Sequence, residues 1–227
     1  PFVVDSVRIE LARYGHTVNQ FYTVAELPLT RDAQGVLQES EKDNEEEKAE
    51  LYAVFEVDWR GDDEYLEGLH KKLAKVLEDV KSAVSDWRPM QKALLSVVKT
   101  WQEGLVDDPR YDQVMLEESK VFMHWLYEHF TFLGARAYLL KQDENKQSYL
   151  ELKSERGAGL GLLRQKKYTT AITRPFLSQH QVDALSLDTD LFYFTKTNTK
   201  ATVHRDAYTD LLGIRYFDKE GNIAGEL

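Results

Sequence analysis

The sequence predicts an α+β fold, and three patterns carry that prediction. Residues 62–86 repeat Leu66, Leu69, Leu73, Val76, Leu77, Val80 and Val84 at spacings of three and four, the signature of a helix with one apolar stripe. LYAVFEVDW (51–59) alternates apolar and polar residues, the signature of a strand with Leu51, Ala53, Phe55, Val57 and Trp59 on one buried face. Beyond residue 129 the helical period gives way to short apolar runs separated by polar turns: FTFLGARAYLL, SYLELKS, GLGLLR, LFYFTK and GIRYFD. Such runs predict antiparallel strands.

Taken in order, DSVRIELARY (5–14) reads as a short helix. Val7, Leu11 and Tyr14 lie inward, Asp5 or Ser6 is the cap and Gly15 the stop. HTVNQFYTV (16–24) reads as a strand, a turn follows within 30–39, and Val36–Leu37 open a second strand. The stretch 39–50 holds seven acids and two lysines; it reads as a solvated hairpin loop or as an acidic interaction tract. The helix over 62–86 is expected to pack on the strands bearing Phe55 and Tyr22. Pro89 starts another helix with Leu94, Val97, Val98, Trp101 and Leu105 inward. DDPR (107–110) breaks the chain, and a further helix over 112–129 is expected to bury Val114, Val121, Trp125 and Leu126. QDENKQ (142–147) and DKEGN (218–222) are hairpin turns. Short helices are expected near 178–186 and 205–211.

Composition removes several function classes. With 42% hydrophobic and 30% charged residues in 227, the chain has material for one large domain or two small ones. A formal charge of -10 is a poor match to phosphate backbones or anionic lipid, so neither nucleic acid nor membrane is an expected partner. There is no cysteine, which excludes thiolate catalysis, disulfides and zinc–thiolate sites and suits a cytoplasmic setting. No apolar run approaches the roughly 20 residues that span a bilayer. The hydrophobic start at Pro1-Phe2-Val3-Val4 and the end at Ala224–Leu227 read as cuts within a longer chain.

Candidate chemistry is sparse. Gly157, Gly159 and Gly161 in RGAGLGLLR admit a phosphate-cradling loop, but the third glycine is misplaced for a dinucleotide fingerprint and the flanks are wrong; a flexible turn is the other reading. His124 and His129 are five apart, off the i,i+4 spacing of helical metal ligands, and no metal site is expected. In TKTNTKATVHRDAY (195–208), Lys196, Lys200, His204 and Arg205 can form an anion pocket. Alternatively the segment is a strand running into a capped helix, its basic groups solvated or paired with Asp206 and Asp210.

Four phrases in order, PFVVDSVRIEL (1–11), HFTFLGARAY (129–138), GLGLLR (159–164) and TKTNTKATVHRDAYTDLLGIRYFDKEGNIAGE (195–226), resemble the large bacterial NAD-specific glutamate dehydrogenases. The resemblance implies a very long parent chain with ACT-like and PAS-like modules ahead of a distant catalytic core. On that map residues 1–88 are an ACT-like (ferredoxin-like, βαββαβ) module lacking its first strand. Residues 89–118 are a helical connector, and 119–227 a PAS-like antiparallel-sheet module truncated at its C-terminus. ACT domains that bind amino acids do so at the loop entering the first helix, where a small glycine often stands. Here Pro1, Phe2, Val3 and Asp5 occupy that place, and the large Phe2 suits packing or subunit contact as well as ligand binding. Together with Lys196, His204 and Arg205 they are the candidate ligand or interface residues.

No catalytic, cofactor-binding or metal-binding residue carries over from the resemblance. What it implies is a non-catalytic regulatory or assembly segment. The parent oxidises L-glutamate to 2-oxoglutarate and ammonia with NAD, the segment itself holding no cofactor. The partners implied are other domains of the parent chain, further copies of it and an amino-acid effector. The alternative is a stand-alone ACT/PAS-type module that senses an amino acid or another small molecule.

Overall fold

A computed structural model of the chain describes residues 2–38, 48–58, 61–145, 148–153, 159–164, 173–175 and 191–227. The first helix, α1, runs Val3–Arg13, two residues ahead of the expected start. Ser6, Val7 and Leu11 are its buried side, and Asp5 and Arg13 sit at the ends where their charges suit the helix dipole. It closes in a Schellman turn. The Gly15 N–H reaches the Ala12 carbonyl at 3.0 Å and the His16 N–H that of Leu11 at 2.9 Å. Gly15 adopts φ 94°, a conformation that disfavours side chains with a Cβ.

Strands β1 (Val18–Arg31), β2 (Leu37–Gln38) and β3 (Lys48–Val57) form an antiparallel sheet in the order β2-β1-β3. A register shift between Val24 and Leu27, with Glu26 at φ 57°, marks a bulge in β1. The Asp32 carboxylate accepts from the Gln34 and Val36 N–H groups and shapes the turn into β2. Register decides which face is covered. Phe21 is opposite Phe55 and Tyr22 opposite Val54, so Tyr22 and Phe55 point to opposite faces. Helix α2 (Asp63–Ser85) therefore packs with α1 on Phe55 and Val57, whereas Tyr22 is 63% exposed, contrary to the sequence-based expectation. Of the alternating set, Ala53, Phe55 and Val57 are half-buried and Leu51 is exposed; Trp59 lies outside the described residues.

Asp62 caps α2 by accepting from the Tyr65 N–H at 3.0 Å. The buried stripe is Leu69, Val76, Val80 and Ala83 with Asp79 among them; Leu77 and Val84 stay exposed. A single residue, Asp86, separates α2 from α3 (Trp87–Gly104). Pro89 lies in the first turn of α3, where its missing N–H costs nothing. Leu94, Val97, Val98, Trp101 and Leu105 are buried, as the spacing predicts. In α4 (Gln113–His129) Leu126 is buried as expected, but the other three residues expected inward are not. Leu116, Met123 and Leu126 are buried, while Val114, Val121 and Trp125 are exposed. The helix carries two apolar stripes, so period alone does not say which one meets the core.

The second sheet is six-stranded and antiparallel, ordered β8-β6-β5-β11-β10-β9, from β5 (Tyr138–Gln142), β6 (Ser148–Leu152), β8 (Thr173–Pro175), β9 (Phe192–Lys200), β10 (Tyr208–Phe217) and β11 (Ile223–Glu226). A separate pair joins β4 (Gly134–Arg136) to β7 (Gly159–Gly161), followed by a 3₁₀ turn at Leu162–Arg164. The helix expected near 205–211 is instead a loop and the start of β10. The Ala201 N–H donates to the Ala207 carbonyl and Tyr208 pairs with Lys200, so a hairpin ladder claims this backbone. The expected helix near 178–186 and Gly157 fall outside the described residues. α3 and α4 pack with β10 around Trp101, whose indole N–H donates to the Arg215 carbonyl at 2.7 Å. No described helix is long and apolar enough to cross a membrane.

Candidate functional site

A polar seam forms where α1 and α2 meet the β9–β10 connection and β7. On the α1 side, buried Ser6 donates through Oγ to the Phe2 carbonyl at 2.6 Å and accepts from the His204 N–H at 3.0 Å. The rings of Phe2 and His204 lie 4.8 Å apart. At the far end of α1 the Arg13 guanidinium donates to the Ala201 carbonyl at 2.9 Å and pairs with Asp206. Hydrogen bonding from Arg13, reinforced by Lys200, holds the Asp206 carboxyl below the ordinary carboxylate range.

On the α2 side, fully buried Asp79 accepts from the Thr202 hydroxyl at 2.7 Å. Val80, Val203 and Leu162 form a small apolar cluster beside it, with Phe2, Val3 and Leu133 against them. Asp86 is buried at the α2–α3 junction. It accepts from the Gly161 N–H at 2.7 Å and from the Arg164 Nε at 3.0 Å. A Cβ on Gly161 would lie 2.2 Å from the Leu133 carbonyl oxygen, and one on Gly159 2.0 Å from that of Leu163. Both glycines therefore serve close backbone approach within the chain. At these two described positions the space beside the glycine is taken up by the chain's own backbone and not by an open phosphate cradle.

The sequence-predicted residues divide. Phe2, Val3 and His204 come together in the seam. Asp5 is exposed in the first turn of α1 and Arg205 is exposed in the loop. Lys196 pairs with Asp210 at 2.6 Å on the β9–β10 ladder, and Lys200 with Asp206 at 3.3 Å. Pro1 lies outside the described residues. Sequence reasoning missed Ser6, Arg13, Asp79, Asp86 and Thr202. Only Asp79 left a signal, as a carboxylate set inside the apolar stripe of α2, where an acid is rare unless partnered.

Residues 1–73 match the family model of the glutamate dehydrogenase ACT1 domain, a match that ends inside α2. All of the chain aligns with an NAD-specific glutamate dehydrogenase of Halomonas elongata at 32% identity over 238 residues, and with one of Pseudomonas aeruginosa at 29% over 240. The chain is homologous to the N-terminal part of NAD-specific glutamate dehydrogenases. It spans 14% of the length of either relative. The seam thus joins the ACT1 match to a sheet module that the same relatives also cover, and its residues come from both sides of the boundary at 73.

Proposed function

We propose that this chain is the non-catalytic regulatory and assembly segment of an NAD-dependent glutamate dehydrogenase, whose parent oxidatively deaminates L-glutamate to 2-oxoglutarate and ammonia with NAD. The observation that supports it best is the seam. The α1 helix of the ACT1 match and the part of α2 just past it are both tied to the sheet module, so a change at one side can be passed to the other. The 119–227 part is read as PAS-like, 89–118 as a connector between it and the ACT-like module, and the location as the cytoplasm. An amino acid is the effector class, acting at the turn that enters α1. Assembly into a homo-oligomer runs through residues 1–60, where Tyr22, Val24, Tyr52 and Val54 remain exposed on the outer sheet face.

The decisive experiment uses the intact parent enzyme carrying Arg13→Ala or Asp79→Ala. Turnover without effector should stay within about twofold of the unmodified enzyme, because neither residue touches substrate. The rate response to amino-acid effectors should change. A large loss of basal turnover with an unchanged response would refute the regulatory reading. Light scattering of Tyr22→Lys, expected to weaken self-association, checks the assembly part; an unchanged mass would place the contact elsewhere.

A further inference from the structure

The connection Ala201–Ala207 is held onto α1 and α2 by contacts that backbone strain on both sides of the contact opposes. Holding it are the Ser6 bridge, the Arg13 contacts with Ala201 and Asp206, the Asp79–Thr202 hydrogen bond and buried Val203. Opposing it are two non-glycine residues in the left-handed region, His204 at φ 75° and Phe2 at φ 68°, where a Cβ is crowded by the following carbonyl. The His204 Nδ1 is also buried without a hydrogen-bond partner among the described residues, a cost that water would remove. One atom links the two strained residues: Ser6 Oγ, which donates to Phe2 and accepts from His204. Strain of this kind persists only while surrounding contacts over-determine it, and a loop that carries it is a natural place for local opening below the free energy of global unfolding.

We infer that Ala201–Ala207 is a strained latch, fastened to the first turn of α1 through Ser6, that opens locally and couples the turn at residues 2–6 to the β9–β10 hairpin. The inference rests on the reading of the seam as a regulatory joint. Opening relaxes His204 and Phe2 and hydrates the imidazole, at the cost of exposing Val203 and Asp79. A ligand or neighbouring segment that reorders residues 2–6 releases the hairpin, and by linkage a partner that captures the free hairpin reorders that turn.

Hydrogen exchange by mass spectrometry on the 227-residue chain tests this. His204→Gly and His204→Ala both remove the imidazole and its contact with Phe2, but only glycine removes the Cβ penalty. Amides of 201–207 should exchange about 3- to 10-fold more slowly in H204G than in H204A, the left-handed penalty less the freedom glycine gains on opening. Ser6→Ala should speed exchange of the same segment about tenfold while α3 is unchanged. Equal exchange in H204G and H204A would overturn the latch, even if S6A failed to fold. So would loop exchange that follows α3 in rate and denaturant dependence in the unmodified chain. Arg13→Ala separates the two readings. If H204G equals H204A but R13A still speeds exchange in 201–207, the joint stands without a latch; if R13A also leaves that segment unchanged, the joint falls as well.

Discussion

Leu126→Ala in α4 should be among the more destabilising single substitutions in the helical core, while Val121→Ala, five residues away, should be almost silent. Leu126 is 0% exposed in the cluster around Trp101, Met123 and Phe217, whereas Val121 is 68% exposed. Truncating leucine to alanine removes three carbons, worth about 0.8 kcal/mol each in lost burial, or roughly 2.4 kcal/mol. The cavity left behind brings the expected cost to about 3 kcal/mol, within the usual range of about 2–5. In a chain of this size that lowers Tm by roughly 6–12 °C. An exposed valine should stay within about 0.5 kcal/mol of neutral. Guanidinium unfolding followed by tryptophan fluorescence reads both, because buried Trp101 reports on the same cluster. If Val121→Ala cost as much as Leu126→Ala, the face assignment of α4, and with it the packing of α4 beside α3 and β10, would be wrong.

Further outcomes follow from other parts of the structure. Gly161→Ala should destabilise by more than about 1 kcal/mol, since its φ of 59° disfavours a Cβ and that Cβ meets backbone; a neutral result in thermal unfolding would refute the close approach of β7 to Leu133. Calorimetric titration of the chain with NAD should give no dissociation constant tighter than about 10 μM, roughly 7 kcal/mol of binding; tighter binding would return the glycine segment to consideration as a nucleotide loop. The Asp206 carboxyl, held low chiefly by Arg13, contributes its stabilisation above the ordinary aspartate range near about 3.9 and loses it as pH falls through the lowered folded value. In a carboxyl NMR titration Arg13→Ala should raise the Asp206 midpoint, and an unmoved midpoint would show that the pair does not form.

How much was legible depends on whether a signal was local. Most of the α2 stripe, the inward set of α3 and the hairpin turn at Asp218 are written in spacing and in turn residues, and the structure carries them, with Leu77 and Val84 the exceptions in α2. The side of β1 that bears Tyr22 was not legible, because the apolar run FYTV offers both faces an aromatic or β-branched residue and only pairing with β3 selects one. In α4 only Leu126 of the expected inward set is buried, for the same reason in helical form. The 205–211 segment reads as a capped helix following a strand; a long-range ladder with β9 overrides that local preference. The seam was the least legible part. Ser6 and His204 are 198 positions apart, and nothing in either local context marks a serine or a histidine as half of a tertiary hydrogen bond.

The one-residue gap at Asp86 has a consequence for length variation along the chain. Because α2 passes to α3 with no slack, the helical phase of one is set by that of the other. Inserting a residue near this point would turn one stripe by about 100° relative to its neighbour, at 3.6 residues per turn. Val76 and Val80 would then lose their partners, or Leu94 and Trp101 theirs. Asp86 adds a second constraint, since its carboxylate must reach Gly161 and Arg164 from that same angle. A change of length is therefore better tolerated in a surface turn than here, and the short joint between the helices acts as a fixed gear and not as a tether.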